Sequence, residues 1–158
     1  MSSMSYQGYT PDTIDKTQGW LEHALGALQA SPPDLLGFIN GAEGAWEASQ
    51  ALDPDRDPRV TADTYHGVDD GAWDELTTAW EAIAYILHVR GQSVLDGAKY
   101  ASALDGANSL ADDWVEDGEV AVDRDADDCL VGDGGPAYVA AVIEYAVSAV
   151  DQCLSCCR

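Results

Sequence analysis

Apolar residues recur at three- and four-residue steps along most of the chain, the spacing of one helix face rather than of a strand. Ile14, Leu21, Leu25 and Leu28, with Trp20 beside them, predict a first helix that starts at Thr10-Pro11-Asp12 and ends near Ala30. Thr10 supplies a cap, Pro11 fits a first turn, and Asp12 meets the positive end of the helix dipole. Ser31-Pro32-Pro33-Asp34 is a second start signal, with Ser31 as N-cap and Asp34 at the third helical position. Its stripe is Leu35, Phe38, Ile39, Ala42 and Trp46, and Gly37, Gly41 and Gly44 lie on or near it. Each glycine weakens a helix by about 1 kcal/mol against alanine. The three therefore predict either a close approach of two helices or a poor, frayed one.

Asp53-Pro-Asp-Arg-Asp-Pro58 breaks the pattern and opens a polar connection to about Asp70. Trp73, Leu76, Trp80, Ile83 and Leu87 then give the clearest amphipathic signal, capped by Asp69 or Asp70 and stopped at Gly91, with Arg90 at the negative end of the dipole. Ser93 with Asp96 opens a fourth helix along Leu95, Ala98, Ser102, Leu110 and Trp114. The stretch 117–135 is acidic and glycine-punctuated, and its apolar pieces Val120–Val122 and Cys129–Val131 predict an acidic loop or a small hairpin. Pro136 starts a helix that is apolar nearly all round to about Cys156, which predicts a buried element. The fold class expected is all-α, a bundle of about five helices around this apolar C-terminal helix. Residues 1–10 read as a flexible N-terminal arm and 11–158 as a single helical domain.

Charge changes the picture most. Seven basic residues stand against 29 acidic ones, a net charge of −22 in 158 residues, while 46% of residues are hydrophobic. That much apolar material excludes a wholly disordered acidic tail. The charge excludes direct contact with nucleic acid or anionic lipid, both of which need a positive footprint. Such cation-poor, alanine-rich helices resemble the surfaces of proteins from extreme halophiles, where molar salt shortens the Debye length to about 3 Å. The competing reading is that the acidic surface mimics DNA phosphates. No basic n-region or apolar h-region opens the chain. The longest apolar run, Ala137–Val150, is about 14 residues, short of a bilayer. A soluble, intracellular protein is expected, cytoplasmic or in a virion.

Candidate chemistry is sparse. Asp53, Asp55 and Asp57, then Asp123, Asp125 and Asp127, alternate as calcium-loop ligands do, but the glycine and the bidentate glutamate of that loop are missing. A solvated acidic loop is the plainer reading. Cys129, Cys153, Cys156 and Cys157 include one CxxC, which thiolate ligands of zinc or an iron–sulfur cluster would share; a second CxxC is absent. Inert thiols are the plainer reading there. His23, His66 and His88 lack a Glu or His partner at helical spacing, and no nucleophile elbow or assembled triad is present. Gly132-Asp-Gly-Gly-Pro136 lacks the lysine of a phosphate loop, and Asp133 would repel phosphate. Among the five tryptophans, Trp73 lies in a first turn, where a part-exposed ring would anchor a partner. The expectation is a non-catalytic interaction or assembly protein, from a haloarchaeon or its virus, with no cofactor and a protein partner or self-association. The alternatives are a DNA-mimic inhibitor of a nuclease, restriction or CRISPR system, and a small metal or redox protein using the C-terminal cysteines.

Overall fold

The computed structural model describes residues 11–50, 70–92, 95–118, 120–127 and 130–157, and among these every named element is helical. The elements are α1 (Pro11–Gln29), α2 (Leu35–Gln50), α3 (Asp70–Val89), α4 (Gly97–Glu116) and α5 (Pro136–Cys157). The arm at 1–10, Asp53–Asp57, Asp69 and Ser93 lie outside the described residues.

The helix starts follow local chemistry. α2 begins after Asp34, not at Ser31: the Asp34 carboxylate accepts the Gly37 N–H at 2.9 Å and is itself the N-cap. The reason is the proline pair, since a residue before proline is pushed out of the α region. α4 is likewise capped by Asp96, which accepts the Lys99 N–H at 3.0 Å. α3 stops as expected. Gly91 takes φ +84°, Gln92 N–H reaches the Leu87 carbonyl at 2.8 Å, and Gly91 N–H reaches that of His88 at 3.0 Å, the double closure of a Schellman turn.

The chain forms two compact units, one holding residues up to Asp74 and from Ala149 onward, the other Glu75–Ser148. The first unit is built on the α1–α2 hairpin. A Cβ placed on Gly41 would lie 2.7 Å from the Ala24 backbone nitrogen, and one on Gly37 would lie 3.0 Å from Ala27 Cβ. A Cβ on Gly44 would strike the Trp20 ring. These pairs run in opposite directions along the two helices, so the glycines mark a close antiparallel approach and not fraying. Leu21, Ala24, Leu28, Phe38, Ile39 and Ala45 are buried in this unit, as are Cys153 and Leu154.

In the second unit α3 is buried on every side from Ala82 to Leu87. Within this unit α5 buries Tyr138, Val142 and Ala146 but exposes Ala137, Ala140, Glu144 and Ser148 at helical spacing. The all-round burial that composition suggested for α5 therefore belongs to α3. Alanine and serine on the outer stripe of α5 made it look more apolar than its exposed face is. α5 is also long and apolar enough over Pro136–Cys156 to cross a membrane by length and composition, a span the shorter apolar run concealed. Tyr138 donates to the Ala107 carbonyl at 2.9 Å and packs against Trp114 at 5.8 Å between ring centres.

Between α4 and α5 the expected hairpin shrinks to one antiparallel bridge, Arg124 to Leu130, with Val131 N–H on the Asp123 carbonyl at 3.0 Å. No strand is formed among the described residues. Asp112, Asp113 and Glu116 lie on the last turns of α4. They sit at the negative end of its dipole, and Arg124 Nη2 offsets that at 2.7 Å from Asp112 Oδ1.

Candidate functional site

Trp73 is not the exposed anchor. It is 6% exposed, because Trp46 of α2 lies edge-to-face against it at 5.4 Å between ring centres and 87° between planes. The exposed tryptophans are Trp46 at 48% and Trp20 at 43%. Each is held by packing on one side. Gly44 leaves room for the Trp20 ring, which also meets His23 edge-on at 6.0 Å. Periodicity could not find this pair, since all five tryptophans fall on helices; the glycine opposite Trp20 was the one usable signal. Leu36 is also exposed on α2.

Cys153 is buried and its thiol donates to the Ala72 carbonyl at 3.5 Å, while Cys156 is half-buried. Cys129 and the Cys157 side chain lie outside the described residues. Asp125 accepts the Asp127 N–H at 2.9 Å within its own turn, and the Asp123 carboxylate lies where a Cβ on Gly135 would fall, 2.9 Å away. Among the described residues no three His, Cys, Asp or Glu side chains are grouped to hold a metal ion.

Sequence reading missed a polar clamp in the second unit. Asp133 Oδ2 accepts from Arg90 Nε at 3.0 Å and Nη2 at 2.7 Å, while Asp133 Oδ1 accepts the Gly135 N–H at 3.1 Å. Tyr85 donates its hydroxyl to the Gly132 carbonyl at 2.9 Å. Asp133 thus fills, with its own charge, the space before α5 where a phosphate would bind in a lysine-bearing loop. The clamp fixes the turn before α5.

Burial pushes the Asp133 carboxyl up, but the Arg90 hydrogen bond, the Gly135 N–H and the Arg90 charge together outweigh it, leaving the group below its ordinary value. A carboxyl with a lowered folded pKa stabilises above its unfolded value of about 3.9 and loses that contribution as pH falls through the folded one. The side chains are 44% and 30% exposed, so screening limits the pair to about 1 kcal/mol or less. Asp133→Asn is expected to lower stability by that amount near pH 7 (about neutral) and by nothing measurable near pH 2 (about two units below the unfolded pKa). Urea titrations at both values check this; an equal loss at both would show that the charge is not what Asp133 contributes.

No protein-family model, no curated protein and no solved structure matches the chain.

Proposed function

We propose that this protein works by non-catalytic contact with a protein partner or a second copy of itself, through the outer face of the α1–α2 hairpin. Its acidic surface is then a salt adaptation of the kind found in haloarchaea and their viruses, in the cytoplasm or a virion. The observation that supports this is the pair of exposed rings, Trp20 and Trp46, on a hairpin whose backbones touch at Gly41. Single exposed apolar residues are ordinary on protein surfaces. Rings already ordered by packing are different, because they bind with little further loss of freedom, and tryptophan leads the residues that dominate interface energies.

Phosphate mimicry gains one observation: Asp105, Asp112 and Glu116 are exposed on α4 at spacings that share a face. They give three carboxylates over roughly 16 Å of helix, against one phosphate per about 3.4 Å of each DNA strand. Asp112 is also held by Arg124. That row is too sparse to lead.

Affinity capture from the native host in about 2 M KCl, where long-range attraction is screened, together with sedimentation of the purified chain, tests the reading. The wild type is expected to retain a partner or self-associate, and Trp20→Ser/Trp46→Ser to lose roughly tenfold or more in affinity. Unchanged binding by a folded double variant would remove the hairpin from the interface. Recovery of a nuclease or CRISPR effector, released by duplex DNA, would install mimicry instead.

A further inference from the structure

Trp20 and Trp46 are both exposed, yet their charged surroundings differ. Trp20 has Lys16 one turn before it and the His23 ring against its edge. Trp46 has exposed Glu43 one turn before it and exposed Glu47 beside it, and α2 contains no lysine or arginine. Lys16 is the only lysine or arginine among the described residues of the first unit. The perpendicular contact with Trp73 occupies one edge or one face of the Trp46 indole, so at least one π face is not covered by that ring. An indole face attracts a cation within about 6 Å of its centre, and tryptophan does so best of the aromatic residues. Nearby carboxylates add to that attraction and supply acceptors for the same group.

We propose that Trp46, flanked by Glu43 and Glu47, seats an arginine side chain of a basic partner segment. This rests on the binding role proposed above and names the partner's chemistry. Arginine fits better than lysine, since a planar guanidinium stacks on the ring while its edge N–H groups reach a carboxylate. A second copy fits poorly, because two chains of net charge −22 repel and each offers only seven basic residues. The contact is short-range, so it outlasts the long-range steering that salt removes.

The test uses the full chain and three synthetic peptides of one length, in which serine alternates with arginine, lysine or citrulline. Binding is followed by titration calorimetry and by the Trp46 indole N–H signal, in about 0.15 M and about 1 M KCl. The arginine peptide is expected to bind most tightly, shift the Trp46 signal and remain measurable at the higher salt; the citrulline peptide should not bind. Trp46→Leu keeps an apolar contact for Trp73 and is expected to weaken arginine-peptide binding about 5-fold, while Val115→Ser, at an exposed apolar residue of α4, leaves it unchanged. Should Trp46→Leu fail to fold, Glu43→Gln/Glu47→Gln is expected to weaken the same binding and flatten its salt dependence. Equal affinity for the arginine and lysine peptides, or equal loss in Trp46→Leu and Val115→Ser, overturns the assignment as mere polyanion binding. Host-partner capture that depends on Trp46, alongside an arginine peptide that ignores it, also overturns it and leaves the binding role standing.

Discussion

Leucine in place of Gly41 is expected to destabilise the α1–α2 hairpin by about 3 kcal/mol or more, the upper range for forcing atoms into a filled site. The contact explains the size. A Cβ at Gly41 would stand 2.7 and 2.8 Å from backbone atoms of Ala24, which no side-chain rotation can relieve. The two helices would have to separate, opening the packing around Phe38 and Ile39. Gly26 on α1 is the control, since a Cβ there meets nothing within 4 Å. Gly26→Ala should raise stability by roughly 0.5–1 kcal/mol through helix propensity and a less flexible unfolded chain. Urea denaturation followed by circular dichroism measures both. Gly41→Leu as stable as the wild type would show that the helices do not touch where the structure places them.

Thermal stability is expected to climb by roughly 10 °C or more between about 0.1 M and 2 M KCl, given about 2–4 °C per kcal/mol for a chain of this size. At a net charge of −22 the exposed carboxylates repel one another across the whole surface. Ion pairs such as Arg90–Asp133 and Arg124–Asp112 answer only a few of them. Screening at about 0.1 M still leaves a Debye length near 10 Å, enough for neighbouring helices to feel each other. Melts in KCl and in matched sucrose separate screening from general exclusion effects. A midpoint that does not move with KCl would remove the salt-adaptation reading and strengthen phosphate mimicry.

The helices were legible in the sequence because their signals are local. Pro11, Pro136 and Gly91 act within one turn, and the stripes from Leu21 to Leu28 and from Leu76 to Leu87 repeat at helix spacing. Ser31 carries the local cap signal of α2, but Pro32 and Pro33 constrain their neighbours and the cap falls on Asp34. Trp73 was misjudged for a different reason. A first-turn ring looks half-exposed until the partner that covers it is known, and Trp46 comes from another helix. The Arg90–Asp133 clamp was hidden in the same way, its members lying at the end of α3 and in the turn before α5. Gly37, Gly41 and Gly44 were the intermediate case: their spacing marked one face, but only the alanines of α1 opposite them decide between a seam and a weak helix.

The turn before α5 bears on how relatives of this chain would be read. Gly132, Gly134 and Gly135 all hold positive φ, at 57°, 86° and 98°. At Gly134 an added Cβ would press on the Tyr138 ring, and at Gly135 on the Asp123 carboxylate. Backbone conformation alone will keep these positions glycine, with Asp133 fixed by Arg90 and Pro136 by the helix start. An aligned set of relatives would therefore show Gly-Asp-Gly-Gly-Pro as its most uniform block, with the look of a nucleotide signature. That uniformity would record a folding constraint, and on the proposed binding role the positions around Trp46 would be the ones that vary with the partner.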